Sequence, residues 1–346
     1  MEFVEVDGSQ GEGGGQIIRS AVAFAAIMRK PVRVVKVRAG RGVPGLKRQH
    51  VSALKVLSRV FGGEMSGVTE GSSAVTFVPG TPRNGIISMD MGTAASITLV
   101  LQAVIPAVAI TGTSLSLDLV GGTDVPWSPT LDYFRRVVRE AYASLGVRFD
   151  LSSERRGYYP RGGGRVSVVI EPSKNLIPFD LFGRQSITEV MLESRCGSLP
   201  RHVAERQLTS AAEQLESTRI RVLKTEVSLE QSDSPGSSLL AYYTGTGVFL
   251  GSDSIGARGK PAEEVGRDAA GKFAVAVKSG ACLDSCLADM VLPLLTLAKS
   301  PSRVRIPEVT NHLKSGLHLA EQFTSCRWSV EEDEGSAVVK IQPHPG

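Results

Sequence analysis

The feature that most constrains this chain is that it repeats itself. Residues 71–80 (GSSAVTFVPG), 162–172 (GGGRVSVVIEP) and 335–343 (GSAVVKIQP) each read as a small-residue turn, an alternating β-branched strand and a proline that stops it. Each follows an amphipathic helix, a second strand and a polar hairpin. The helices are GLKRQHVSALKVLSRVFG, SPTLDYFRRVVREAYASLG and TNHLKSGLHLAEQF, with apolar residues recurring at three and four. Upstream of each lies a further helix and strand. The predicted unit is therefore helix, strand, loop, helix, strand, strand, with one extra strand (EFVEVD) leading the first copy only. Two copies fill residues 1–172, and the third is expected to begin near residue 279.

The intervening segment reads as its own α/β module: a strand (SITEVMLES), a helix (RHVAERQLTSAAEQLES), three more strands and a second helix. The expected organisation is a large three-repeat domain, 1–182 with 279–346, interrupted by a smaller domain over 183–278. The fold class is α/β (α+β), each unit a sheet backed by two helices. The longest apolar stretch, 94–110, contains Ser96, Thr98, Gln102 and Pro106, which suit a buried helix better than lipid. The N-terminus has neither a basic region nor an apolar run of the signal-peptide kind, so a cytoplasmic protein without membrane contact is expected. Cys196, Cys282, Cys286 and Cys326 form no CxxC pair and no zinc pattern, and read as free thiols. A formal charge of +4 leans only weakly toward an anionic partner.

Repetition places equivalent loops at equivalent positions. Those between the first strand and second helix are 38–45, 121–129 and 308–312, and units packed about a shared axis would bring them to one cleft. The segment 7–19 (DGSQGEGGGQIIR) sets Glu12 among glycines directly before an apolar helix. It reads either as a turn with a capping carboxylate or as a close approach to phosphates with a bridging metal. It is neither a Walker loop nor a Rossmann fingerprint. The run 38–50 carries Arg38, Arg41, Lys47, Arg48 and His50, a phosphate clamp or a solvated basic face. His312 sits at the expected first turn of the last helix, where Thr310 or Asn311 would cap it. A packing role and a nucleophilic role are equally open to it. Asp289 is expected to open the other helix of the third repeat, where a cap or dipole partner is the plainer reading.

Taken together, these segments resemble the RNA 3′-terminal phosphate cyclase family. The likeness runs along nearly the whole chain, through DGSQGEGGGQIIR, RAGRGVPGLKRQH, VLQAVIPA, GGTDVPWSP, the run 159–164, PRHVAER, LADMVLP and TNHL. The resemblance implies three repeated units with a thioredoxin-like insert. It implies that ATP and a divalent metal, Mg2+ or Mn2+, convert an RNA 3′-phosphate to a 2′,3′-cyclic phosphate through histidine–AMP and RNA-adenylate intermediates. On this chain the nucleophile falls on His312 and the metal ligand on Glu12. The RNA-phosphate residues fall on Arg19, Arg38, Arg41, Gln49 and His50, and the ATP-site residues on Gln102, Pro129, Tyr133, Cys286 and Asp289. The family often has tyrosine and glutamine where this chain has Cys286 and Met290, so an aromatic wall of the adenine pocket is expected to be missing. Two rival readings are a non-catalytic relative acting in ribosomal RNA processing, which would lack the nucleophile, and an enolpyruvyl transferase, which would need neither histidine nor RNA.

Overall fold

The structure is a computed structural model that describes residues 2–11 and 13–343. In the first unit, β1 (Val4–Asp7), α1 (Gly15–Met28), β2 (Val32–Val35), α2 (Arg48–Phe61), β3 (Gly63–Ser66) and β4 (Val75–Pro79) build a sheet in the order β1-β2-β4-β3. The second unit contains β5 (Gly85–Asp90), α3 (Ile97–Ile110), β6 (Leu115–Gly121), α4 (Leu131–Tyr133), α5 (Arg139–Ser144), β7 (Phe149–Arg155) and β8 (Gly164–Ile170). Its order, β5-β6-β8-β7, is the same topology. A single π-helical turn over Phe134–Val138 joins α4 to α5, where the apolar period had predicted an unbroken helix.

The third unit opens with β9 (Asp180–Leu181), far ahead of its remaining elements. This corrects the expectation that the unit begins near residue 279 and that only the first copy has a leading strand. β1, β5 and β9 each pair in parallel with the strand that follows the first helix of their unit. Between β9 and the rest lie β10 (Glu189–Gly197), α6 (Arg201–Glu216), β11 (Arg221–Glu230), β12 (Gly236–Gly245), β13 (Val248–Ile255) and α7 (Ala262–Lys278). They form their own sheet, β11-β10-β12-β13, around their own apolar cluster, which includes Leu192, Leu215 and Phe273. The third unit then resumes with α8 (Ser285–Leu295), β14 (Ser302–Ile306), α9 (Asn311–Thr324), β15 (Arg327–Asp333) and β16 (Ser336–Gln342), completing β9-β14-β16-β15.

Alternation explains the sheets. Along β8 every second side chain is buried, so Val166, Val168 and Ile170 face the helices. Helix α3 is apolar nearly all round because helices α1 and α2 and strands β6 and β8 all pack against it. One continuous core runs through all three units, joining Phe24 and Leu57 to Val104, Phe134, Leu292 and Phe323. Among the described residues no helix is long and apolar enough to cross a membrane.

Candidate active site

The first helices of the three units, α1, α3 and α8, line one cleft. Arg19 reaches it from α1, Gln102 from α3 and Asp289 from α8, so three residues 83 or more positions apart in sequence share a wall. Asp289 is not at a helix start, as the sequence had suggested. Asp284 caps α8 by accepting the Leu287 N–H at 3.0 Å, which puts Asp289 in the second turn.

Asp289 is instead tied to the neighbouring helix. The Thr310 hydroxyl donates to Asp289 Oδ1 at 2.5 Å and accepts the Leu313 N–H at 2.9 Å. One side chain thus caps α9 and fastens its start to the acid of the cleft. His312, half-buried, follows in the first turn of α9.

The glycine loop bridges this helix to the first unit. Gly11 adopts φ +57°, and a Cβ there would fall 1.9 Å from Ser315 Oγ, so only glycine fits against α9. Gly14 caps α1 without a side-chain hydrogen bond, leaving the N–H groups of that helix start open to a ligand. A Cβ on Gly15 would lie 2.6 Å from His50 Nε2 and 3.0 Å from an Arg19 nitrogen, and one on Gly14 3.8 Å from an Arg41 nitrogen. Arg19, Arg41 and His50 therefore converge on the N-terminus of α1. Glu12 lies outside the described residues. Among the described residues no three His, Cys, Asp or Glu side chains group as a metal site.

Each basic residue is in a distinct state. Arg19 is 9 % exposed, and burial pushes its pKa down to about 10, which still leaves it cationic at pH 7. Among the described residues it makes no hydrogen bond or ion pair, an unusual position for a buried charge. His50 accepts the Lys47 N–H on Nδ1 at 3.1 Å, so the proton of its neutral ring is on Nε2, facing Gly15. Burial, then Arg19, Arg38 and Lys47, push its pKa down to about 4. Arg38 is mostly committed to its own loop: its backbone has φ +55°, and Nη1 donates to the carbonyls of Val43 (2.7 Å) and Gly45 (2.9 Å). Arg41 and Gln49 are exposed beside it.

Pro129, Tyr133 and Cys286, expected at the ATP site, are not among the residues that line this cleft. The Thr98 hydroxyl, one turn before Gln102, donates to the Pro129 carbonyl at 2.8 Å. Tyr133 is 1 % exposed, and its hydroxyl donates to Asp284 at 2.8 Å, so neither ring face is open to a ligand. Asp284 also accepts the Gly251 N–H from β13; burial nevertheless pushes its carboxyl up to about 6. Cys286 is exposed, one turn before Asp289 on α8. Sequence reasoning had missed Thr98 and Asp284. Only Asp284 left a trace, as an N-cap acid before an apolar helix.

The family model for RNA 3′-terminal phosphate cyclase matches residues 10–330. The chain is similar to the RNA 3′-terminal phosphate cyclase of Thermococcus kodakarensis, 40 % identical over 97 % of this chain and 96 % of the relative. It is likewise similar to those of Korarchaeum cryptofilum, 39 % identical over 98 % and 97 %, and Pyrococcus furiosus, 40 % identical over 93 % of each. A family match along nearly the whole chain, with relatives about 40 % identical over almost their full length, places this chain in the RNA 3′-terminal phosphate cyclase family.

Proposed function

We propose that this chain uses ATP to convert an RNA 3′-terminal phosphate to a 2′,3′-cyclic phosphate, through a nucleotide carried on His312. The observation that carries this reading is Arg19, a nearly buried cation that pairs with no carboxylate among the described residues, beside a neutral His50 N–H and the open N-terminus of α1. Such a pocket is made for a phosphate. It lies one glycine loop away from the helix that bears His312.

In the first step a His312 ring nitrogen attacks the α-phosphorus of ATP; an N–P bond forms, the α–β P–O bond breaks, and diphosphate leaves. In the second, an oxygen of the RNA 3′-phosphate displaces the histidine, which recovers its lone pair as the adenylate passes to RNA. In the third, the vicinal 2′-oxygen loses its proton and attacks the terminal phosphorus, and AMP departs with the anhydride oxygen. Arg19, Arg41 and His50 hold the RNA phosphate, with Gln49 at the rim, while Arg38 mainly braces the loop that presents Arg41. Gln102, Pro129 and Cys286 border the nucleotide, and Tyr133 supports them from beneath. Thr310 and Asp289 set the start of α9 and so orient His312.

A divalent cation, Mg2+ or Mn2+, would neutralise charge on the triphosphate. Asp289 in the cleft suits that task, since Mg2+ is typically held by one or two carboxylates plus phosphate oxygens. Glu12 in the glycine loop is the second carboxylate assigned to it. The test is incubation with α-labelled ATP and metal. Wild-type protein acquires an acid-labile, base-stable label, and His312→Ala acquires none. An equally labelled His312→Ala would move the nucleophile elsewhere.

A further inference from the structure

Trp127 is 97 % exposed, the most exposed of the large apolar side chains, and its backbone adopts φ +60°. Left-handed backbone is unfavourable for an L-residue with a bulky side chain and persists only where the surroundings impose it. Here they do. The loop after β6 is braced by the Ser128 hydroxyl on the Val125 carbonyl (2.8 Å), by Thr98 on Pro129 (2.8 Å) and by the Thr130 N–H on Asp253 (2.6 Å). A fixed loop thus holds an indole out in water, where it has no packing role.

A second aromatic stands close by. The hairpin between β7 and β8 pairs with the Trp127 loop through Asp124 and Tyr158, at the end of β6 where Gly121 is opposite Gly164. Tyr158 is buried, its ring against Gly197 and Gly236, two positions where a Cβ would collide with it. The Arg161 N–H donates to Ser234 Oγ at 3.2 Å. Anchored at both points, the hairpin leaves Tyr159 68 % exposed and Arg161 at the surface. Both loops lie at the end of the second unit that also carries Pro129, whose carbonyl accepts the hydroxyl of Thr98, the residue before Leu99 on the cleft wall.

We infer that Trp127 and Tyr159, with Arg161 beside them, form a stacking platform for the bases of single-stranded RNA just upstream of the reacting 3′ end. The inference rests on the function proposed above. Every base has a π-face, so aromatic platforms bind single strands without regard to sequence, and a neighbouring cation tracks the backbone. An enzyme that acts on a terminal phosphate needs such sequence-blind contacts to hold the strand while its end reacts.

The experiment compares two ligands: a ten-nucleotide RNA ending in a 3′-phosphate, and a nucleoside 3′-phosphate that cannot reach the platform. Binding is followed by tryptophan fluorescence in wild-type protein, where Trp127 is the exposed indole and Trp328 is half-buried against His318, and by competition in the variants. Trp127→Ala is expected to weaken the ten-mer about 5- to 150-fold, the equivalent of about 1–3 kcal/mol, without changing affinity for the mononucleotide. Trp127→Phe should recover most of the loss, and Tyr159→Ala should move in the same direction. Wild-type affinity for the ten-mer in Trp127→Ala, or an equal loss on both ligands, overturns the platform. A wild-type protein that neither binds nor cyclises the ten-mer overturns the proposed function instead.

Discussion

At pH 7 the His50 ring is a neutral hydrogen-bond donor, because three cations and burial make a second proton costly. An unfolded histidine titrates near 6.5, so between about 6.5 and about 4 the unfolded chain binds a proton that the folded chain refuses. The contribution of His50 to stability is therefore complete above about pH 6.5 and falls as the pH drops toward 4, by about 3 kcal/mol in all. Urea unfolding across that range should show this loss in wild-type protein and not in His50→Asn, whose amide oxygen can still accept the Lys47 N–H. Arg41→Ala tests the pocket differently: with enzyme preloaded with AMP, discharge onto RNA should slow more than loading does. The reverse pattern would assign Arg41 to ATP. Tyr133 has no open ring face, so it offers no stacking surface in place of the aromatic wall that the sequence leads one to expect missing at Cys286. Cys286→Tyr is expected to tighten ATP binding by about 1–3 kcal/mol, measured by calorimetry. Unchanged affinity would show that the base does not rest on this part of α8.

Among the elements, the start of α9 depends on one threonine. Thr310→Val removes both the cap and the bond to Asp289 and should destabilise the protein by about 1–2 kcal/mol, read as a lower Tm, whereas Thr310→Ser keeps both bonds. The helices around the cleft were legible in the sequence because burial on one face imposes a period of three and four. Two strands were not. β5 has mostly exposed or half-buried side chains and so shows little contrast between its faces, and β9 is only two residues long. Both exist because a parallel neighbour offers them a hydrogen-bonding edge, a condition that local sequence does not record.

Across the molecule, the second unit is locked to the sheet of β10–β13 by buried charge. Arg156, fully buried, donates to Asp124 at 3.1 Å and to Asp132 at 2.5 Å; Arg195 of β10 donates to Asp132 at 2.8 Å and pairs with Glu230 of β11. Burial alone would raise the Asp132 carboxyl, but the two guanidiniums hold it far below the usual range. Arg156→Met strands Asp124 and leaves Asp132 with less compensation, so denaturant unfolding should show a loss of about 3–5 kcal/mol. A loss below 1 kcal/mol would mean that water or a shift of Arg195 replaces the missing charge. Asp132 adjoins Tyr133, so loosening this network should also weaken ATP binding.

What the sequence determined by itself was what repeats: the period of the helices, the alternation of the strands, and the motifs that named a family and singled out Arg19, Arg41, His50, Asp289 and His312. These are local properties, set by side chains within a turn or two of one another. Only the tertiary structure decided how those residues combine. It made Arg38 a brace, buried Tyr133, coupled Asp289 to the α9 cap through Thr310, and buried Arg19 away from any carboxylate of the described residues. Arg38 closes on its own loop, whereas Asp289 and Thr310 meet across two helices of the third unit and Tyr133 meets Asp284 across two units. Distance through space, which sequence order does not encode, sets hydrogen bonding and desolvation, and those set what each side chain can do.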